Sequence, residues 1–277
     1  MSTLTPLEHE PLQQMTLAGS TLYYRRHGEG PPLLLLHGWG GSSRYWRGTL
    51  SALGHAHDMI APDLPGFGDS PPIDGHMSGQ RLAELVIAFA DQLGLEQFDL
   101  NGHSFSAGVA AFVAARYPKR VRRLVLTSFS TFRNEFERRM VDQIHRVMSV
   151  WMALRKPWMA ERRLFYRTVS SRFFYRTPSD DAILRESFAD FLKMDKRTAV
   201  ESAGSSADPA INPAMAQIRA PTLIIGARQD SIMPPAGTPT VAHLIAGSRL
   251  TWIEHCGHLP MIERPDLYHR LLAEFLG

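Results

Sequence analysis

Phe98-Asp99-Leu100-Asn101-Gly102-His103-Ser104-Phe105-Ser106-Ala107-Gly108 decides how the chain is read. The apolar run at 98–100 leads into a turn, and Val109-Ala110-Ala111-Phe112-Val113-Ala114-Ala115 continues as a helix of small residues. The pattern predicts a strand, a sharp turn at Ser104 and a helix. A serine on such a turn is lifted clear of the sheet, above a helix start that offers unpaired N–H groups and partial positive charge. That position suits a nucleophile whose reaction creates an oxyanion. A lone turn serine is more often structural, so the rest of the chain must supply its partners.

Upstream, residues 15–17 and 21–24 around Ala18-Gly19-Ser20 read as an edge hairpin, and Pro31-Pro32 opens the aliphatic run Leu33-Leu34-Leu35-Leu36. A continuous aliphatic run bounded by turn residues fits a strand covered on both faces, as in a parallel sheet. His37-Gly38-Trp39-Gly40-Gly41-Ser42-Ser43 follows, then a helix near 45–53, a strand over 58–61 and the turn-rich Pro62-Asp63-Leu64-Pro65-Gly66-Phe67-Gly68-Asp69-Ser70. Leu82, Leu85, Val86, Phe89 and Leu93 recur at helical spacing, and 124–126 is a further strand. Alternating strand and helix predicts a doubly wound, mostly parallel α/β sheet. The alternation stops over 131–213, where the pattern is helical and rich in aromatic and charged residues. It resumes with a strand over 223–226, a helix over 234–245, a strand over 250–253 and a helix over 265–275 opened by Pro265. The expected organisation is a core over 1–130, an inserted all-helical cap over 131–213, and the rest of the core over 214–277.

A serine hydroxyl needs a base, and the base an orienting group, to attack at neutral pH. Gly226-Ala227-Arg228-Gln229-Asp230-Ser231-Ile232-Met233-Pro234 puts a carboxylate just past a strand end. Cys256-Gly257-His258-Leu259-Pro260-Met261-Ile262-Glu263-Arg264-Pro265 puts a histidine just past the last strand. Loops at the carboxyl ends of parallel strands are where open α/β sheets bind ligands. Alone, Asp230 reads as a helix cap and His258 as a loop histidine. In the order serine, acid, histidine, each at a strand end, they make a catalytic set.

These motifs, together with His37-Gly38-Trp39-Gly40 and Asp63-Leu64-Pro65-Gly66-Phe67-Gly68-Asp69-Ser70, resemble the α/β-hydrolase superfamily in its serine-nucleophile, esterase-like branch with a helical cap. One departure stands out: Ser106 occupies the last glycine position of the G-x-S-x-G elbow. The resemblance implies Ser104 as nucleophile, His258 as base and Asp230 as its orienting acid. It assigns the oxyanion hole to the backbone N–H groups of Trp39 and Phe105, and a substrate pocket to Trp39, Phe105 and Leu259. It makes His37 a brace for its loop and calls for no metal and no cofactor. The implied substrate is a small to medium hydrophobic carboxylic ester, cleaved through an acyl-enzyme.

Within that superfamily, a serine nucleophile argues against haloalkane dehalogenases and epoxide hydrolases. Leu259 stands where carbon–carbon bond hydrolases of meta-cleavage pathways commonly have tryptophan, and Phe105 where proline iminopeptidases usually do. A carbon–carbon bond hydrolase or a perhydrolase on the same triad remains an alternative. Outside hydrolysis, the alternative is a hydrolase-fold receptor or an accessory protein, for example in tetrapyrrole synthesis. Ser106 as nucleophile would shift the turn into the helix, away from the strand end. His255-Cys256-x-His258 has no second cluster at zinc-like spacing, and Gly66-x-Gly68 has no third glycine opening a helix. Asp63 and Asp69 read as turn and capping residues.

Composition bounds the rest. The 277 residues, 44% hydrophobic and 21% charged, describe an ordinary globular chain of one large domain. A single cysteine, Cys256, excludes an intrachain disulfide and fits a reducing compartment. With no signal-peptide pattern and no apolar run long enough to span a bilayer, a cytoplasmic protein without stable membrane insertion is expected. Arg133, Arg138, Arg139, Arg146, Arg155, Lys156, Arg162, Arg163, Arg167, Arg172 and Arg176 crowd the first half of the cap. They read as the wet faces of amphipathic helices, or as arginines that face the cleft or a membrane surface and attract an anionic substrate. No nucleic-acid module is present, and oligomeric state is not readable.

Overall fold

In the computed structural model, which describes residues 11–131, 154–205 and 208–277, eight strands form one sheet. These are β1 (Gln13–Leu17), β2 (Ser20–His27), β3 (Pro32–Leu36), β4 (Asp58–Pro62), β5 (Phe98–His103), β6 (Val121–Thr127), β7 (Thr222–Ala227) and β8 (Arg249–Ile253). They lie in the order β1-β2-β4-β3-β5-β6-β7-β8; β2 runs antiparallel to both neighbours and every pair from β4 to β8 is parallel. The chain leaves β3 toward β4 on one side and returns to β5 on the other. The carboxyl ends of β3 and β5 therefore flank the topological switch point, where an open sheet leaves a crevice.

Alternation along the strands divides the core into two layers. Leu34, Leu36, Leu100, Leu124, Leu126 and Ile224 point to one face, and Leu33, Leu35, Val125, Leu223 and Ile225 to the other. Helices α1 (Arg47–Leu53), α2 (Gly79–Gln92) and α3 (Phe105–Arg116) follow the early strands; α2 and α3 cover the first face and α1 the second. Ser78 caps α2 by accepting the Arg81 N–H at 3.1 Å. Between β6 and β7 the regular elements among the described residues are helical: α4 (Arg163–Ser170), α5 (Asp181–Lys193), α6 (Lys196–Ser205) and α7 (Ile211–Met215), with short 3-10 turns. Thr131 Oγ1 donates to Asn212 Oδ1 at 2.6 Å and closes this excursion at its two ends. Helix α7 already packs in the α2–α3 layer through Ile211, Ala214 and Met215. The chain finishes with α8 (Thr238–Leu244), α9 (Pro260–Glu263) and α10 (Pro265–Leu276), which packs beside α1.

Several boundaries differ from the sequence pattern: β1, β5 and β6 run two to four residues longer than their apolar runs. Strand β2 runs on to His27 because residues 24–27 pair with β4, where Arg26 and Asp58 form an ion pair at 2.8 Å. The segment after Pro234 splits into a 3-10 turn at Pro235–Gly237 and α8. Helix α9 is a single turn, too short to show a periodicity. No helix among the described residues is long and apolar enough to cross a membrane.

Several histidines are folded into this core in the neutral form. His269 Nε2 lies 3.1 Å from Thr49 Oγ1, and burial pushes its pKa from 6.5 to about 4. Burial also lowers His37 and His103. The unfolded chain takes up these protons near pH 6.5, whereas the folded chain resists them, so stability present above that pH drains away as pH falls toward about 4. Thermal midpoints measured across this range are expected to fall, and His269→Gln is expected to flatten the slope. An unchanged slope in that variant would remove His269 from the account.

Candidate active site

Ser104 joins β5 to α3 with φ 55° and ψ −122°. Holding a non-glycine residue there costs roughly 1–3 kcal/mol. The Ser104 N–H donates to the Thr127 carbonyl at 2.9 Å, and the Ser104 carbonyl accepts the Ala107 N–H at 2.9 Å. The turn brings α3 back over its own strand: a Cβ at Gly102 would lie 2.4 Å from the Ser106 carbonyl oxygen and 2.8 Å from Ala107 Cα. Only glycine fits at 102. Ser106, the departure from the elbow pattern, is fully buried and donates its hydroxyl to the His37 carbonyl. It ties the first turn of α3 to the end of β3. Ser106→Ala is expected to cost about 1 kcal/mol of stability with kcat within a few-fold of the parent, checked by urea unfolding and ester kinetics.

Asp230, past β7, and His258, past β8, meet Ser104 at the crevice. His258 Nε2 lies 2.8 Å from Ser104 Oγ, and His258 Nδ1 lies 2.7 Å from Asp230 Oδ2. The other carboxylate oxygen of Asp230 accepts the N–H groups of Ile232 and Met233, each at 2.9 Å. A carboxylate fixed by two main-chain donors can only accept at its remaining oxygen, so Nδ1 carries the proton. The Nε2 lone pair then faces the serine hydroxyl. All three side chains are buried, which excludes bulk water from the line of contacts.

The loop after β3 passes directly behind the serine. A Cβ at Gly38 would lie 3.2 Å from Ser104 Cβ. The Gly38 carbonyl accepts the Gly41 N–H at 3.0 Å and sits 2.9 Å from His37 Nδ1. His37 Nε2 accepts the Leu64 N–H at 3.0 Å, so its proton is on Nδ1 and points at that carbonyl. A trans peptide sets N–H opposite C=O, so the Trp39 N–H points away from Gly41 and His37. Phe105 opens α3, where an N–H has no preceding turn to bond to. Asp63 steadies the far end of the loop by accepting the Ser43 N–H at 2.6 Å and the Asp69 N–H at 2.9 Å.

The helices between β6 and β7 rest on this loop. Trp39 Nε1 donates to the Ala199 carbonyl of α6 at 3.1 Å, and its ring lies 5.6 Å from that of Phe191 on α5. A Cβ at Gly40 would come within 2.8 Å of Phe191 Cδ2. Beside it, Ser42 Oγ donates to Asp190 at 2.5 Å, and Arg44 bridges Asp190 to Asp69, which Lys193 also reaches at 3.0 Å. Burial raises the Asp190 pKa against the pull of Arg44. On the opposite side, the His258 N–H donates to the Phe173 carbonyl at 2.7 Å. Glu263 accepts the N–H groups of Gly257 (2.8 Å), Tyr175 (3.1 Å) and Arg176 (2.6 Å), clamping the histidine loop to residues 175–176.

Aromatic and aliphatic side chains pack beside the triad. Phe105 stacks on Phe67 at 6.2 Å, and Phe173 lies 6.0 Å from the His258 ring. Leu259 is a buried member of the layer that holds Trp46, Phe174 and Met261. Arg155 donates to the carbonyls of Leu192 and Met194 at the end of α5, and Arg163 and Arg167 bind Asp181. Lys156, Arg162, Arg172 and Arg176 are exposed. Arg133, Arg138, Arg139 and Arg146 lie outside the described residues. Asp190, Tyr45 and His103 escape a reading of the sequence, and Glu263 is read only as part of the histidine motif, with no role. Only Glu263 carries a signal, as an acid within the histidine motif.

A family model described as alpha/beta hydrolase fold matches residues 31–265. The chain is 29% identical to pyrrolizixenacetamide deacetylase of Xenorhabdus hominickii, over 96% of this chain and 98% of that one. It is 30% identical to 2-hydroxymuconate semialdehyde hydrolase of Pseudomonas putida, over 96% of this chain and 94% of that one. The crystal structure of a hydrolase from Pseudomonas aeruginosa matches with a TM-score of 0.82 at 23% identity, covering 96% of this chain and 98% of that one.

Proposed function

The chain belongs to the alpha/beta hydrolase fold family, and from that premise we propose that it is a serine hydrolase that cleaves small to medium hydrophobic carboxylic esters through an acyl-enzyme on Ser104. The observation that carries the reading is the buried line of contacts Asp230 Oδ2, His258 Nδ1, His258 Nε2 and Ser104 Oγ, at 2.7 and 2.8 Å. In this mechanism Ser104 Oγ attacks the ester carbonyl while its proton passes to His258 Nε2. Asp230 stabilises the resulting imidazolium. The carbonyl oxygen takes up negative charge between the N–H groups of Trp39 and Phe105. Collapse expels the alkoxide, which takes the Nε2 proton and leaves as the alcohol. A water molecule then repeats the sequence on the acyl-enzyme, releasing the acid and restoring Ser104.

The Phe173 ring beside His258 and the Phe105 ring next to Ser104 favour an uncharged acyl chain. Arg155, Arg163 and Arg167 already serve carbonyls and Asp181 within the cap, which weakens the case for a charged substrate. Likeness to the Pseudomonas putida semialdehyde hydrolase favours carbon–carbon bond hydrolysis as a second reading. One experiment separates them: fluorophosphonate labelling of Ser104, followed by rates on p-nitrophenyl esters of graded chain length and on a meta-cleavage dienoate. Labelling at Ser104 with highest kcat/KM on an ester supports the first reading. Dienoate turnover above that of every ester assigns the second, and an unlabelled serine with no turnover points to a non-enzymatic role.

A further inference from the structure

Behind the reacting atoms lies a second chain of hydrogen bonds. His103, the residue before Ser104, is buried with Nε2 2.8 Å from the main-chain carbonyl oxygen of His258 and Nδ1 3.0 Å from the Tyr45 hydroxyl. The Tyr45 hydroxyl in turn accepts the Gly38 N–H. A carbonyl only accepts, so the His103 proton is on Nε2; Nδ1 then accepts from the tyrosine O–H, whose oxygen takes the Gly38 N–H. Each group is used in one consistent direction. The series joins the loop after β3, the elbow after β5 and the loop after β8, the three segments that converge on the serine.

We propose that Tyr45 and His103 are positioning residues that hold the Gly38–Trp39 loop and the main chain of His258 in register with Ser104. The inference rests on the reading that Ser104 and His258 carry the reaction. Neither residue has an atom free for proton transfer with the serine, since both His103 nitrogens and the Tyr45 hydroxyl are committed. The packing leaves them no freedom. The His103 and His258 rings lie 4.8 Å apart, the Tyr45 ring is 5.6 Å from His103 and 5.1 Å from Trp46, and a Cβ at Gly38 would meet His103 Nδ1 at 2.8 Å. Burial and the neighbouring His258 hold the His103 pKa well below 6.5, so it stays neutral while His258 gains and loses its proton.

The test uses Tyr45→Phe, His103→Gln, His103→Leu and the Tyr45→Phe/His103→Leu double variant. Rates are expressed per site titrated with a fluorophosphonate, alongside thermal midpoints. Displacing a reacting group by 1 Å costs on the order of 10²-fold. His103→Leu is therefore expected to lower kcat per titrated site by about 10- to 100-fold with KM within about threefold. His103→Gln, which keeps a donor for the His258 carbonyl, is expected to recover most of the loss. Adding Tyr45→Phe to His103→Leu is expected to bring little further loss, because the two act as one unit. If His103→Leu does not fold, Tyr45→Phe, which keeps the packed ring, carries the test with a loss of about tenfold or more. Rates per titrated site within twofold of the parent, or losses that appear only in the number of titratable sites, overturn the proposal and leave these residues a purely structural role. A parent protein that is active but unlabelled at Ser104 overturns the reaction reading itself, and the proposal with it.

Discussion

Ser104→Ala is expected to lower kcat on a p-nitrophenyl ester by about 10³-fold or more, with KM and thermal midpoint close to the parent. The hydroxyl contributes a nucleophile and the proton that His258 accepts, and both vanish with Oγ. The fold has little to lose, because the Ser104 main chain supplies the bonds that hold the turn, to Thr127 and Ala107. Alanine has the same Cβ and inherits the same turn conformation. What survives is catalysis by the oxyanion donors and by binding alone, still well above the uncatalysed rate. Ester kinetics and active-site titration of Ser104→Ala and Ser106→Ala, side by side, decide the assignment. A dead Ser106 variant beside an active Ser104 variant would overturn it.

Asp230→Asn is expected to lower kcat by about 10³- to 10⁴-fold without unfolding the protein. The side-chain amide oxygen of asparagine keeps the two N–H donors of Ile232 and Met233, which demand an acceptor. Its NH₂ group must then face His258 Nδ1. The imidazole answers by accepting at Nδ1 and carrying its proton on Nε2, the nitrogen that faces Ser104 Oγ at 2.8 Å. A protonated, uncharged Nε2 cannot take the serine proton. Kinetics together with nitrogen NMR of the imidazole test both halves of the statement. Parent-like turnover, or an unprotonated Nε2 in the variant, would count against Asp230 as the orienting acid.

Legibility in the sequence follows from how local the cause is. Leu33 to Leu36 reads as a strand because both of its faces are buried, and burial on both faces needs no partner to be visible in the pattern. The elbow, the acid loop and the histidine loop are likewise short runs whose turn residues announce them. The extension of β2 through Arg25, Arg26 and His27 is polar and exists because β4 pairs with it. Ser106 looks like a defect until α3 folds back over β3 and the His37 carbonyl comes within reach of its hydroxyl. Asp190 reads as one more helical acid, and only the seating of α5 on the loop after β3 brings Ser42 and Arg44 to it. The same holds for Tyr45 and His103, whose partners are other loops. Contacts between segments distant in the chain leave no periodic trace.

The acid is held by main-chain groups, and that has a consequence for variation. Ile232 and Met233 anchor Asp230 through their N–H groups alone, so their side chains take no part in its orientation. Any residue but proline supplies the same N–H. Ile232, whose side chain is exposed, can drift through mutation while the chemistry beside it stays fixed; Met233 is bound only by its packing against the core. A lineage carrying this site can retune the rim next to its acid, one neutral step at a time, without first disabling the machinery it is meant to serve.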